Sequence, residues 1–170
     1  IHAELADYDY RLYEVAPEKL GEFLKDGEFD GLNVTIPYKK AVIPYCAALS
    51  PIAQKLQSVN VLVRRADGTL YGDNADAYGF DAMVKASGIS VEGKKALVLG
   101  SGGASATVCA VLNELRARSV TVISRSGEDN YGNLDRHADA EIIVNTTPVG
   151  MYPNCGVSPV DLWQFPRLAG

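Results

Sequence analysis

The feature that most constrains the fold is an apolar run, Lys95-Ala96-Leu97-Val98-Leu99, followed at once by the glycine-rich turn Gly100-Ser101-Gly102-Gly103. A continuous apolar run of this length is typical of a strand buried on both faces of a parallel sheet. Small residues with helical spacing continue to about Arg116, and further β-branched runs occupy 119–123 and 141–144. Strand, glycine turn, helix and strand form a βαβ unit with an expected right-handed crossover.

The glycine turn lies between a predicted strand and a predicted helix, the context in which such a turn binds nucleotides. Gly100 permits the tight turn, Gly102 lets the backbone approach a pyrophosphate, and Ser105 is small enough for close packing of the helix on the strand. The free N–H groups of the helix start favour phosphate. An ordinary turn is the alternative. The cofactor-binding candidates here are Gly100, Ser101, Gly102, Gly103 and Ala104.

The strand after this helix ends at Ser124-Arg125-Ser126. An acidic residue near this position binds the ribose 2′-hydroxyl of NAD. Arginine instead offers a planar, permanently charged fork that suits a phosphate, and the flanking serine hydroxyls add hydrogen bonds. The segment therefore favours NADP over NAD; a solvated loop arginine is the alternative.

The first half of the chain alternates short strand patterns with helical ones. Strands are predicted at 9–15 and 31–35 and in a hairpin, 59–64 with 69–72, around the turn Ala66-Asp67-Gly68. Helices are predicted from Pro17 to Gly27, at 38–49, after the Ser50-Pro51 cap, and at 77–86 with Gly88 as the stop. The opening residues, Ile1 to Leu5, have a helical pattern that is already under way, which suggests a fragment of a longer protein.

Charge and cysteine content exclude several classes of protein. The net charge of -5 gives no basic surface for nucleic acid. No apolar run approaches the roughly 20 residues that span a bilayer. The three cysteines, Cys46, Cys109 and Cys155, are too far apart for a zinc site or a disulfide framework. We therefore expect no metal and a reducing compartment.

Two polar residues stand at the ends of predicted strands. Lys39 follows Asn33-Val34-Thr35-Ile36-Pro37-Tyr38, in which the proline gives the turn a defined direction. Asp76 follows Gly72-Asp73-Asn74-Ala75 at the start of a helix. Taken singly, Lys39 is more simply explained as a surface residue and Asp76 as a helix N-cap.

Short motifs follow one another in a fixed order along nearly the whole chain. They are 33–39 (Asn-Val-Thr-Ile-Pro-Tyr-Lys), 58–63 (Ser-Val-Asn-Val-Leu-Val), 72–79 (Gly-Asp-Asn-Ala-Asp-Ala-Tyr-Gly), 100–104 (Gly-Ser-Gly-Gly-Ala), 124–126 (Ser-Arg-Ser) and 145–151 (Asn-Thr-Thr-Pro-Val-Gly-Met). In this order they resemble the motifs of the quinate/shikimate dehydrogenase family. Ala75 stands where that family usually has threonine. The ordered combination is far more specific than any single motif.

The resemblance implies an α/β fold in which an N-terminal substrate-binding catalytic domain, 1–88, with a mostly parallel and incomplete sheet, precedes a truncated Rossmann-type NADP-binding domain, 89–170. It implies reversible reduction of 3-dehydroshikimate to shikimate by NADPH, in cytoplasmic chorismate and aromatic amino-acid biosynthesis, by a monomer or homodimer. Lys39 and Asp76 would be catalytic and Asn33, Thr35 and Asn60 would bind substrate. Thr147 and Met151 would lie at the cofactor.

The chain also departs from the family pattern. A Ser-x-Ser-Pro segment that holds the substrate carboxylate and a C-terminal glutamine of the substrate site have no counterpart here. We therefore expect these 170 residues alone to be poorly stable and nearly inactive. Two alternatives remain: a quinate/shikimate dehydrogenase paralogue, and a non-catalytic NADP-binding module.

Overall fold

The structure, a computed structural model, describes residues 4, 7 and 9–169. Apart from Glu4, the predicted helical opening lies outside the described residues. The helices are α1 (Leu20–Asp26), α2 (Pro51–Leu56), α3 (Ala75–Ser87) and α4 (Gly103–Glu114). The strands are β1 (Gly31–Asn33), β2 (Ala48–Leu49), β3 (Val61–Arg64), β4 (Leu70–Asp73), β5 (Lys95–Leu99), β6 (Ser119–Ile123) and β7 (Ile142–Asn145). Short 3₁₀ turns lie at Pro17–Lys19, Ile43–Tyr45, Leu134–His137 and Leu162–Gln164.

The second sheet is parallel, in the order β6-β5-β7, as the apolar run predicts. Successive side chains of β5 point to opposite faces. Ala96 and Val98 pack in one buried cluster with residues of α4, whereas Leu97 and Leu99 pack in another with Phe165. Because both faces of β5 are covered, the strand is apolar at consecutive positions rather than at alternate ones.

The first sheet is mixed, in the order β1-β3-β4-β2. The predicted hairpin is confirmed: β3 and β4 pair antiparallel, with Leu62 opposite Gly72. β1 also pairs antiparallel with β3, and only β2 and β4 run parallel. The α/β fold class is confirmed, but the expectation of a mostly parallel first sheet is wrong for the described residues. The short turn between β3 and β4 permits only antiparallel pairing, because a parallel pair needs a long crossover.

The helix predicted at 38–49 is wrong. This segment forms consecutive turns, the 3₁₀ turn Ile43–Tyr45 and then strand β2. Pro44 has no N–H to donate to a preceding carbonyl, which interrupts an α-helix here. Beyond it, the amides of Ala47 and Ser50 donate to the carbonyls of Leu70 and Gly72, both at 2.9 Å. Pairing with a strand distant in sequence therefore replaces the local helical pattern.

The strand predicted at 9–15 is also wrong. The segment forms no strand, and Leu12 is 87% exposed. The segment and β1 both line a cleft of about 890 Å³. Side-chain hydrogen bonds connect the segment to its neighbours: Nδ2 of Asn33 donates to the hydroxyl of Tyr10, and the hydroxyl of Tyr38 donates to the carbonyl of Val15.

The predicted helix boundaries in the first half are largely confirmed. Ser50 caps α2 by accepting a hydrogen bond from the amide of Ala53 at 3.2 Å. Gly27 ends α1, and Gly88, with a φ of 73°, ends α3. Phe80 of α3 packs against the buried cluster that lies between α4 and the second sheet. No helix in the described part of the chain combines the length and apolar character needed to cross a membrane.

Candidate active site

Polar residues gather at one edge of the first sheet. The register places Asn33 opposite Val61 and Val61 opposite Asp73, so the C-terminal ends of β1 and β4 meet the start of β3. The turn that carries Lys39 and the start of α3 leave the sheet at this edge. Antiparallel pairing therefore brings together residues that lie far apart in the sequence.

Lys39 and Asp76 are in direct contact, with 2.8 Å between Nζ and Oδ2. Their side chains remain 30% and 49% exposed, so a small molecule can reach both. Backbone hydrogen bonds hold the pair in place. The carbonyl of Lys39 accepts from the amide of Val59 at 2.8 Å, and the backbone carbonyl of Asp73 accepts from the amide of Asn60 at 3.0 Å. The resulting site offers an ammonium group and a carboxylate side by side.

Asp76 is not the N-cap of α3. That position belongs to Asn74, whose Oδ1 accepts from the amide of Ala77 at 3.3 Å. Asn74 is fully buried, and its Nδ2 donates to the carbonyl of Ser58 at 3.0 Å. The capping explanation of Asp76 therefore fails, and its carboxylate is free to engage Lys39.

Sequence reasoning missed a small supporting network beneath the pair. Ser50 donates from Oγ to Oδ1 of Asp73 at 2.5 Å, and the same oxygen accepts from the amide of Asn74 at 2.7 Å. This network ties the cap of α2 to the first turn of α3. The one sequence signal for this network was Asn74 itself. It stands two residues before Asp76 at a predicted helix start, and asparagine caps helices about as well as aspartate does.

The predicted substrate-binding residues lie along the same edge. Oδ1 of Asn60 accepts from the amide of Ala75 at 2.7 Å, which leaves its amide Nδ2 to serve as a donor. Nδ2 of Asn33 lies 3.5 Å from the hydroxyl of Tyr10. Asn33 and Thr35 line the large cleft, whereas Lys39, Asn60 and Asp76 do not. Most of the cleft wall is apolar, whereas Lys39 and Asp76 place an ammonium group and a carboxylate side by side outside it.

The glycine loop joins β5 to α4 as predicted. Gly100 has a φ of 102°, and a Cβ there would lie 2.9 Å from Cγ2 of Thr147. The neighbouring loop therefore requires a glycine at this position. Ser105 is buried, in agreement with the expected close packing of the helix on the sheet.

Gly102 and Gly103 have no such requirement. Gly102 has an ordinary φ of -78°, and a Cβ at either glycine would meet no protein atom within 4 Å. Both stand at the start of α4, where N–H groups have no intrahelical acceptor. No protein side chain therefore blocks these glycines, and amides at a helix start favour a bound phosphate. Sequence and structure are thus compatible with a dinucleotide at this loop.

The loops after β6 and β7 flank the glycine turn. The amide of Gly100 donates to the carbonyl of Ile123 at 2.8 Å, so Ser124-Arg125-Ser126 begins beside it. Arg125 is exposed. After β7, the side chain of Asn145 accepts from Thr147 Oγ1 at 2.6 Å and donates to the carbonyl of Val149 at 2.9 Å. Met151 follows and is 65% exposed. The three loops meet at the carboxyl ends of parallel strands, where nucleotides bind in such folds.

Comparison with known proteins bears directly on this arrangement. Residues 1–62 match the family model described as "Shikimate dehydrogenase substrate binding domain". The chain is 35% identical over 166 residues to the shikimate dehydrogenase (NADP(+)) of Clostridium beijerinckii, covering 89% of this chain and 61% of that protein. It is 42% identical over 157 residues to that of Oleidesulfovibrio alaskensis, covering 84% and 55%.

The chain is thus similar to shikimate dehydrogenases along most of its length. Among solved structures, the chain matches a chorismate mutase/shikimate 5-dehydrogenase fusion protein from Clostridium acetobutylicum with a TM-score of 0.79 and 34% identity, over 89% of this chain and 60% of that one. It matches the Thermus thermophilus enzyme in complex with NADP(H) and shikimate with a TM-score of 0.72 and 33% identity, over 90% and 60%. A quinate dehydrogenase from Corynebacterium glutamicum in complex with NAD matches with a TM-score of 0.76 and 25% identity, over 89% and 60%. The chain thus spans about 60% of the length of these relatives.

Proposed function

We propose that the complete protein carrying this chain is an NADP-dependent shikimate dehydrogenase. It would catalyse the reversible reduction of 3-dehydroshikimate to shikimate, a step toward chorismate and the aromatic amino acids. The observation that carries the proposal is the contact between Lys39 Nζ and Asp76 Oδ2 at an exposed sheet edge. A binding protein would need neither side chain, whereas proton transfer to a substrate oxygen needs a positioned donor.

In the proposed reduction, Lys39 donates a proton from Nζ to the carbonyl oxygen of the substrate. The hydride for the carbonyl carbon would come from NADPH held at the second sheet. The carbonyl thereby becomes a hydroxyl group, and the lysine regains its proton from solvent. In the oxidative direction Lys39 accepts the proton from the hydroxyl.

Asp76 has two proposed tasks. Its contact with Lys39 directs Nζ toward the substrate oxygen. A carboxylate offers about four acceptor positions, so the contact with one ammonium group leaves room for a ring hydroxyl. The uncharged groups of Asn33, Thr35 and Asn60 along the same edge would complete the contacts with a polyhydroxylated ring.

The cofactor would lie across the second sheet. We propose that the backbone amides at the start of α4, around Gly102 and Gly103, hold the pyrophosphate. Ser124, Arg125 and Ser126 would contact the 2′-phosphate. Thr147 and Met151, in the loop after β7, would flank the nicotinamide. The presence of an NADP(H) and shikimate complex among the similar structures supports this assignment.

The domain boundary follows the two sheets. We propose a substrate-binding domain at 1–88 and an NADP-binding domain at 89–170, since each sheet has its own buried clusters.

The described cysteines are all free, and burial raises the pKa of the Cys46 and Cys109 thiols. Free cysteines are usual in a reducing compartment, which supports the proposed cytoplasmic location. A monomer or a homodimer is proposed.

A quinate/shikimate dehydrogenase is the second candidate, favoured by the match to a quinate dehydrogenase. Rates with quinate and with shikimate, measured on the same preparation, distinguish the two. Tight NADP binding without turnover of either acid would instead indicate a non-catalytic module.

The test of the proposed function is shikimate-dependent NADP reduction by the complete protein. Lys39→Ala should lower kcat by about 10²–10⁴-fold, the usual effect of losing one acid–base group. Lys40→Ala is the matched control, because Lys40 is the exposed neighbour of Lys39. Equal activity of the two variants would refute the role of Lys39.

Asp76→Asn tests the second member of the pair. Because Asn74 caps α3, this substitution should leave the melting temperature nearly unchanged while it lowers activity. A variant that melts earlier but retains its kcat would show that Asp76 is structural.

A further inference from the structure

The segment after Ser126 folds back onto the end of β6. The amide of Ser124 donates to the carbonyl of Asp129 at 3.1 Å. A Cβ at Gly127 would lie 2.6 Å from Oγ of Ser124 and 3.2 Å from the carbonyl oxygen of Asp129, so the returning chain passes close to Ser124. Nδ2 of Asn130 closes the loop by donating to the carbonyl of Gly127 at 3.2 Å. The backbone of Ser124 is therefore held by this return segment.

The return segment is anchored to the protein interior by a histidine. Nε2 of His137 lies 2.7 Å from Oδ1 of Asp129, and His137 is only 8% exposed. Its Nδ1 has no hydrogen-bond partner among the described residues. Because a carboxylate accepts hydrogen bonds, Nε2 carries the proton. The 3₁₀ turn that bears His137 is fixed in the core through Leu134, which packs in one cluster with Ile123, the last residue of β6.

Other charges near this contact are weaker partners. Nη1 of Arg136 lies 3.8 Å from Oδ1 of Asp129, and its side chain is 54% exposed. The side chain of His137 is 11% exposed and that of Asp129 is 28% exposed. The short contact to the buried histidine is thus the one that determines where Asp129 lies.

We propose that His137 and Asp129 are positioning residues that make this protein selective for nucleotides carrying a 2′-phosphate. The inference rests on the proposed cofactor and extends it to residues that do not touch the ligand. The pair holds the carbonyl of Asp129, which in turn holds the amide of Ser124. Arg125 is exposed and long, so it loses conformational freedom when it binds a phosphate. A fixed backbone on either side of it lowers that cost, which is the general benefit of preorganisation.

Direct binding to the complete protein tests the proposal, with adenosine 2′,5′-bisphosphate and 5′-AMP as probes in calorimetry. Both carry adenosine and a 5′-phosphate, and only the first carries a 2′-phosphate. His137→Leu should weaken the bisphosphate by about tenfold, the effect of losing one good hydrogen bond, and leave 5′-AMP within twofold. His137→Gln should restore most of the affinity, because the glutamine amide can reach the carboxylate. Asp129→Ala should behave as His137→Leu does, and it serves as the second variant if the leucine does not fold.

The outcomes separate this role from the proposed function. Equal loss of both probes in the leucine and alanine variants would mean that the pair only stabilises the domain, which overturns the proposal. An unchanged preference for the bisphosphate in both variants also overturns it, while the NADP assignment stands. If the unmodified protein binds both probes equally, the NADP assignment fails, and the role of His137 fails with it.

Discussion

Gly100 and Gly102 belong to one motif, yet the structure gives each a different reason to be glycine. At Gly100 the φ of 102° is a conformation that side chains rarely adopt, and a Cβ would lie 2.9 Å from Cγ2 of Thr147 and 3.1 Å from Oγ1 of Thr146. At Gly102 the backbone is ordinary and the space is open. We therefore expect Gly100→Ala to damage the protein and Gly102→Ala to damage the cofactor site.

The magnitudes follow from these geometries. Holding alanine in the backbone conformation of Gly100 costs about 1–3 kcal/mol, and overpacking against the threonines costs about 1–3 kcal/mol more. We expect Gly100→Ala to lower the free energy of unfolding by about 2–6 kcal/mol, the sum of the two costs. Alanine is a poorer N-cap than glycine, so Gly102→Ala should lower it by less than about 1 kcal/mol. Its methyl group would instead collide with a phosphate and weaken NADP binding about 5- to 150-fold, from an overpacking cost of about 1–3 kcal/mol.

Urea unfolding and NADP titration of the two variants form the assay. With a slope of about 2 kcal/mol per molar urea, Gly100→Ala should lower the unfolding midpoint by roughly 1–3 M. Gly102→Ala should keep its midpoint and lose affinity. The reasoning is refuted if both variants unfold at the same midpoint, or if Gly102→Ala binds NADP as tightly as the unmodified protein does.

Further predictions concern a cap, a cofactor contact and the thiols. Asn74→Ala removes the cap of α3 and the hydrogen bond to the half-buried carbonyl of Ser58, so the free energy of unfolding should fall by about 2–4 kcal/mol; an unchanged melting curve would contradict this. Arg125→Asp should shift the ratio of kcat/KM for NADP to that for NAD toward NAD, and an unchanged ratio would remove Arg125 from the phosphate site. Cys155, which is exposed, should react first with a thiol reagent at pH 8. Burial raises the pKa of the Cys46 and Cys109 thiols and so keeps them protonated at this pH; their slower reaction should accelerate as the pH rises above 9, and three equal rates would contradict the burial.

The second sheet was predictable because its signals are local and agree with one another. Apolar runs without alternation indicated buried parallel strands. The glycine turn indicated where α4 begins, and the helix does begin there, at Gly103. The hairpin around Ala66-Asp67-Gly68 and the Ser50 cap were predictable for the same reason. In each case a few adjacent residues carry the backbone preference, the cap or the turn that determines the structure.

The candidate site could not be predicted from local sequence patterns alone. Lys39 and Asp76 each had a simpler structural explanation, and only the ordered motifs of a known family paired them. Their contact depends on β1, β3 and β4 lying side by side, and no local propensity encodes this pairing. The Asp129–His137 contact was missed altogether, since nothing in its sequence context marks either residue.

By itself, the sequence determined the α/β class, the buried strands of the second sheet, the Ser50 cap of α2 and the resemblance to shikimate dehydrogenases. Tertiary structure alone decided that 38–49 turns and then pairs with β4, that 9–15 forms no strand, and that Asn74 rather than Asp76 caps α3. The physical reason is the distance along the sequence over which each kind of interaction acts. Dihedral preferences and caps act over a few residues, whereas strand pairing and the placing of Lys39 against Asp76 depend on which distant segments the folded chain brings together.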